Sequence, residues 1–216
     1  NGHKDAVPLN SCGSAMFLAL KAAGVQHGDE VFCNAFTFTA VPSSIVHAGG
    51  VPVYLECNTD YILDIDDLKQ KIKQNPDVRF LLLSYMRGHI SDVEQIQQLC
   101  EDNNIVLIED CAHSLGVTWQ NNSEDEINHI GHHGAAACFS AQSNKLINAG
   151  EGGILVTNDA EIAAYSILAA GSYELLYQQH IARPDNAIFE KIKRDIPNFS
   201  LRMNNLTAAV LHPQMP

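Results

Sequence analysis

The run Arg79-Phe80-Leu81-Leu82-Leu83-Ser84 restricts the possible folds more than any other stretch of this chain. Successive side chains of a strand point to opposite faces, so a run that stays apolar at every position describes a strand buried on both sides. The segments around it alternate in character. Helical patterns cover residues 11–23 (stopped at Gly24), 39–48 (opening near Pro42, closing at Gly49-Gly50), 64–74, 91–103 and 159–170. Strand patterns cover residues 31–33, 51–55, 79–84, 104–108, 135–139 and 153–157. Asp64 is placed to cap its helix, and Ser91 with Glu94 has the spacing of a capping box. Residues 119–128 read as a polar surface loop or small hairpin, and 171–197 lack clear periodicity. Strands alternating with helices predict a three-layer α/β/α sandwich around a mostly parallel sheet, with ligands bound beyond the carboxyl ends of the strands. Asp110 and Ser140 fall at such ends. No linker or repeat divides the 216 residues, so one α/β domain over 1–216 is expected.

The formal net charge of -12 argues against nucleic acid and anionic membrane as partners, while leaving room for a phosphate held by local backbone donors. No apolar run approaches membrane-spanning length, and the opening Asn1-Gly2-His3-Lys4-Asp5 lacks the regions of a signal peptide. Six cysteines, at 12, 33, 57, 100, 111 and 138, form no Cys-x-x-Cys pair. Buried free thiols in a reducing, cytoplasmic setting are the simplest reading.

Two residues suggest a chemistry. Lys145 follows a strand in Phe139-Ser140-Ala141-Gln142-Ser143-Asn144-Lys145, where its amine can meet an aldehyde cofactor. Asp110, in Ile108-Glu109-Asp110-Cys111-Ala112-His113, can keep a pyridine nitrogen protonated. Together they are the signature of pyridoxal phosphate (PLP) chemistry. Ser11-Cys12-Gly13-Ser14 opens the first helix, and Gly13 and Ser14 there serve either as a phosphate-binding helix start or as plain cap residues; Ser140 can add a hydroxyl. Phe38 can stack on a flat ring or pack in the core. Asp110 can equally cap the turn that follows it, and His113 can touch the ring or simply pack. Arg87 and His89 can recognise an acidic substrate, or belong to a salt bridge or solvated loop. His129, His132 and His133 lack the ligand complement of a metal site, and adjacent histidines in a strand face opposite ways, so no metal is expected.

Taken in order, these motifs resemble the DegT/StrS family of PLP-dependent sugar aminotransferases. The carriers are Ser11-Cys12-Gly13-Ser14-Ala15, Gly28-Asp29-Glu30-Val31, Phe36-Thr37-Phe38, Glu109-Asp110-Cys111-Ala112-His113 and Phe139 through Lys145. Gly150-Glu151-Gly152-Gly153, Val156-Thr157-Asn158-Asp159 and Arg202-Met203 complete the series. The resemblance implies the large domain of the type I aminotransferase fold, with a seven-stranded sheet, and assigns cofactor stacking to Phe38. It implies a homodimer with shared active sites and a ping-pong transfer of an amino group from glutamate to a keto-sugar, nucleotide-linked or a free sugar acid. Amino-sugar and cell-surface polysaccharide synthesis, including lipopolysaccharide, is the implied setting. A sister branch carries histidine in place of the lysine and performs dehydration; Lys145 argues for amino transfer. A PLP-dependent dehydratase or lyase on the same scaffold, or a non-catalytic regulatory homologue, is the alternative. The family's N-terminal arm and small C-terminal domain are expected to be absent from this sequence. Ser200 stands where the family often has an asparagine that reaches the neighbouring subunit's phosphate, so partner contacts at Ser200 and Arg202 are a departure to watch.

Overall fold

The computed structural model describes residues 2–120 and 127–215. Seven strands form one sheet: β1 (Asp5–Leu9), β2 (Glu30–Asn34), β3 (Val51–Leu55), β4 (Phe80–Ser84), β5 (Val106–Asp110), β8 (Ala136–Ser140) and β9 (Gly153–Thr157). Two short strands, β6 (Thr118–Gln120) and β7 (Ile127–His129), pair separately and antiparallel. They flank part of the polar stretch read as loop or hairpin, whose residues 121–126 lie outside the described residues.

The sheet order is β1-β9-β8-β5-β4-β2-β3. The four pairings from β3 to β8 run parallel, and at the far edge β9 runs antiparallel to both β8 and β1. Successive connections run outward in one direction from β2 to β3 and in the other from β4 to β5 and β8, so the crossover direction reverses between β2 and β4. In open α/β sheets that reversal opens a crevice at the strands' carboxyl ends.

Helices cover both faces. On one lie α1 (Cys12–Ala22), α2 (Ala40–His47), α5 (Ala160–Ala170) and α6 (Asn186–Ile192); on the other, α3 (Ile65–Gln74) and α4 (Val93–Asp102). Side-chain parity sorts the core between them. Phe80, Leu82, Ile108, Ala136 and Cys138 join Leu18, Leu20 and Ile167, whereas Leu81, Leu83, Leu107, Ala137 and Phe139 join Leu68, Val93 and Ile96. Helices α1 and α5 are apolar nearly all round because they are packed between the sheet and other helices, while α3 carries only Leu68 and Ile72 inward. A last helix, α7 (Asn205–Leu211), follows the Arg202-Met203 element.

Two expectations are corrected. Helix α4 is capped by Asp92, which accepts from the Gln95 N–H at 3.1 Å. Ser91 is buried, and its hydroxyl accepts the Leu63 N–H instead, so the Ser91–Glu94 capping box does not form. His132 and His133 are not strand neighbours, because β7 ends at His129. His132 stacks on His3 at 3.9 Å, and the His133 N–H donates to Glu109. Strand β1 is an addition to the expected strands; it is an edge strand, where the missing N–H of Pro8 is tolerated. The segment without periodicity supplies a 3₁₀ turn at Leu176–Gln179 and α6, whose buried Phe189 stacks on Tyr177 at 4.3 Å.

Candidate active site

Three polar residues end their strands on the α1 face: Ser84, Asp110 and Ser140 share the parity of Leu82, Ile108 and Cys138. Asp110 is 5% exposed, so its carboxylate depends on whatever donors surround it. The Ser84 hydroxyl donates to Oδ2 at 2.7 Å and the Ala112 N–H to Oδ1 at 3.1 Å. Asp110 therefore does cap the turn after β5, and it still faces the cleft. Ser84 is itself fixed by Asn34, which accepts the Ser84 N–H at 2.9 Å and donates to the Ser84 carbonyl at 3.0 Å across the opening between β2 and β4. Burial pushes the Asp110 carboxyl above its ordinary range, more than these hydrogen bonds and the nearby His113 and Lys145 pull it down.

The start of α1 sits directly beside Asp110, with Cys12 Sγ 3.9 Å from Oδ1. Ser11 is the N-cap and accepts the Ser14 N–H at 3.1 Å. The Ser14 hydroxyl donates to Asn10 at 2.6 Å. Both donors of Ser14 are thus already engaged, whereas Ser11, Cys12 and Gly13 front the cavity. Gly153 makes this placement possible: a Cβ there would lie 2.2 Å from the Ser11 backbone, so only glycine lets β9 press against the start of α1.

Lys145 projects from the β8–β9 connection. The neck of that loop is closed by Ala141 N–H to Gly152 O at 2.9 Å and Ala149 N–H to Ala141 O at 2.9 Å, and its far side is held by Gln214, which accepts the Asn148 N–H at 3.0 Å and donates to its carbonyl at 2.7 Å. The amine reaches His113 Nε2 at 2.8 Å. Partial burial lowers the lysine's pKa against the opposing pull of Asp110. Burial, and then the Lys145 charge, lower that of His113. Where Lys145 is an ammonium it donates to a neutral His113 at Nε2; where the amine is neutral, the roles depend on the imidazole tautomer.

These groups line one cavity of about 250 Å³: Ser11, Cys12, Gly13, Phe38, Asp110, His113, Ser140 and Lys145, with Gln142 and Glu151. Phe38 is 57% exposed, an apolar ring presented to the cavity rather than packed in the core. Of the two candidate substrate residues, Arg87 joins Lys145 and His113 around an adjoining cavity, while His89 packs edge-on against Phe36 and Tyr61. Ser200 and Arg202 lie elsewhere. Ser200 is exposed, and the Arg202 guanidinium donates to the Gly171 carbonyl at 3.0 Å beside a separate surface hollow. Among the described residues no group of three or more His, Cys, Asp or Glu is arranged to hold a metal. Sequence reasoning passed over Ser84, Asn34, Gln142 and Glu151. For Ser84 a signal existed, since it ends the buried run in register with Asp110.

The sequence profile of the DegT/DnrJ/EryC1/StrS aminotransferase family matches residues 1–216. The chain belongs to that family. Among curated relatives it is 34% identical over 162 residues to the spore coat polysaccharide biosynthesis protein SpsC of Bacillus subtilis (strain 168), covering 75% of this chain and 40% of SpsC. It is 29% identical over 208 residues to the GDP-perosamine synthase of Vibrio cholerae, covering 96% of this chain and 51% of that protein. The chain thus spans about half, or less, of the length of these relatives. Among solved structures, NtdA from Bacillus subtilis with bound cofactor PMP superposes with a TM-score of 0.77 at 24% identity, over 96% of this chain and 43% of that one. The likeness establishes that this family member has the aminotransferase α/β fold.

Proposed function

We propose that the protein is a PLP-dependent aminotransferase that passes an amino group from glutamate to a keto-sugar by a ping-pong mechanism. The observation that carries this reading is the shared cavity: an amine with lowered pKa, Lys145, and a buried carboxylate, Asp110, face one space alongside the start of α1. The donor set fits the cofactor. Asp110 is a buried acid in want of a cation, and a protonated ring nitrogen is one. Phe38 offers an apolar face for a flat ring, Ser11, Gly13 and Ser140 line the same cavity with Ser11 and Gly13 at the N-terminus of α1, and His113 lies next to the lysine.

PLP, when bound, supplies an electron-withdrawing ring that takes up the electron pair released at the substrate carbon. The chain's own residues do the rest. Asp110, steadied by Ser84, keeps the ring nitrogen protonated. Lys145 Nζ would hold the cofactor covalently and would move the proton at the substrate carbon, and burial lowers its pKa from the ordinary lysine value, which favours the uncharged amine this needs. His113 orients Nζ. The family's lysine, present here as Lys145, favours amino transfer over dehydration.

The amino-sugar names of the relatives support a role in cell-surface polysaccharide or lipopolysaccharide synthesis. A homodimer in the cytoplasm, with 1–216 forming the large cofactor-binding domain, fits the same reading; among the described residues no helix is long and apolar enough to cross a membrane.

The test is spectroscopic. Purified protein given PLP gains the cofactor's visible absorbance, and glutamate converts it to the pyridoxamine form. Absence of any response to amino donors sinks the proposal. In Lys145→Ala, turnover falls by about a thousandfold or more while the circular dichroism spectrum stays native; retained turnover removes Lys145 from its role.

A further inference from the structure

Arg87 occupies an unusual position. Its backbone is left-handed, with φ 54°, a conformation that is strained for a non-glycine residue and persists only where neighbours impose it. They do so here. The Gly88 N–H donates to the Tyr85 carbonyl at 3.0 Å and the His89 N–H to that of Met86 at 3.2 Å. Tyr85 is fully buried, with its hydroxyl donating to Glu109 at 2.7 Å and its N–H to the Asp110 carbonyl at 3.2 Å. The turn that carries Arg87 is therefore tied to the end of β5, the same point that fixes Asp110.

The arginine projects beside a cavity of about 520 Å³ that it shares with Phe38, His113, Gln142, Asn144 and Lys145. Among the described residues no acidic side chain lines that cavity. Among the described residues the Arg87 guanidinium has no carboxylate or carbonyl partner, and its charge opposes protonation of the neighbouring His113. In a chain of net charge -12, Arg87 beside Lys145 and two amide side chains is a local exception, and the nearby carboxylate, Asp110, acts on Lys145 from the neighbouring cavity. Guanidinium donors form a planar fork that matches a carboxylate bidentately.

We infer that Arg87 receives a carboxylate of the substrate, so that this site is built for an acidic molecule whose reacting carbon lies at Lys145. The inference rests on the aminotransferase reading and adds to it the chemical class of what binds. The carboxylate comes either from the amino-acid donor or from a sugar acid acceptor, and the two half-reactions tell these apart. His89, turned into the Phe36–Tyr61 cluster, takes no part.

Arg87→Gly removes the guanidinium and suits the left-handed backbone, so a folding defect is not expected, and a native melting temperature checks this. Arg87→Lys keeps the charge without the fork. If the donor supplies the carboxylate, Arg87→Gly raises the L-glutamate concentration for half-saturation of the spectral change by roughly tenfold or more, with a smaller fall in limiting rate, and Arg87→Lys recovers part of it. If the acceptor supplies it, glutamate is unaffected and the same rise appears for a keto-uronic acid but not for an uncharged keto-sugar. Binding of glutarate, which has carboxylates and no amine, is followed by calorimetry on the full chain and weakens in parallel when the donor arm holds. Unchanged half-saturation for glutamate and keto-uronic acid together with unchanged glutarate binding in Arg87→Gly overturns the inference. Should wild-type protein show no spectral response to any amino donor, the aminotransferase reading fails on its own. Glutarate calorimetry then judges Arg87 alone: binding lost in Arg87→Gly upholds a carboxylate site, and binding kept rejects it.

Discussion

Glu109 and Asp110 are chain neighbours, both buried at the end of β5, and they leave the strand on opposite faces. Glu109 turns toward the α3/α4 layer, where its two oxygens accept from the Tyr85 hydroxyl at 2.7 Å and the backbone N–H groups of Gly131 at 3.2 Å, His133 at 3.0 Å and Gly134 at 2.7 Å. The His133 ring stands 3.8 Å away. Burial pushes its pKa up, but His133, Tyr85 and Gly134 together pull it further down, and the net direction is down. Asp110 turns toward α1, finds one hydroxyl, one backbone N–H and the weak donor Cys12 Sγ at 3.9 Å, and burial wins: its pKa is raised. The lesson is that donor count, not burial, separates a carboxylate that holds the fold from one kept available for a ligand.

The largest expected effect tests that division directly. Glu109→Gln confronts four donors with an amide that cannot accept them all, and stability should fall by about 3–5 kcal/mol in denaturant unfolding. A loss no greater than that of a surface substitution ends the comparison. In contrast, Asp110→Asn should lower turnover by about a hundredfold or more, with the cofactor-free unfolding midpoint unchanged or raised.

The two acids also respond oppositely to pH. Glu109 has a folded pKa below its ordinary 4.5, so the stability it contributes is fully present above that value and is lost as pH falls through the lower folded pKa. Asp110 has a folded pKa above its ordinary 3.8, so ionisation penalises the folded state at higher pH, and the penalty is relieved as pH falls through the raised value. Urea midpoints of cofactor-free protein, taken from about pH 3 to 6, should therefore show a shallower acid decline in Glu109→Gln and a steeper one in Asp110→Asn. Identical slopes would mean the two environments do not differ. The smallest effects come from single donors: Tyr85→Phe should cost about 1–2 kcal/mol of stability, while Ser84→Ala costs less and shows itself as a further rise in the pH at which Asp110 titrates.

Much of this was readable beforehand, for identifiable reasons. Asp64 caps its helix as the pattern suggests, because a side-chain oxygen one residue before an amphipathic run has few other partners. Ser91 misled because a tertiary contact, the Leu63 N–H, competes for the same hydroxyl. Strand β1 was not among the expected strands, and its place at the sheet edge beside β9 is set by pairing with residues 153–157, far along the chain. In the site, Lys145, Asp110, Phe38, His113, Ser140 and Gly13 converge on one cavity, whereas His89, Ser200 and Arg202 do not. Sequence alone grouped Arg87 with His89, and a left-handed residue between them sends the two side chains to different surroundings.

Local pattern was enough for the layered α/β architecture and for pairing a strand-end acid with a loop lysine, because periodicity and residue chemistry are properties of short segments. It was not enough to say which acid faces which layer or what each one meets. Those outcomes depend on register, on Ser84 and Tyr85 arriving from another strand, and on Gly153 admitting a helix against its backbone. Such contacts join residues far apart in the chain, and only the folded arrangement brings them within hydrogen-bonding distance.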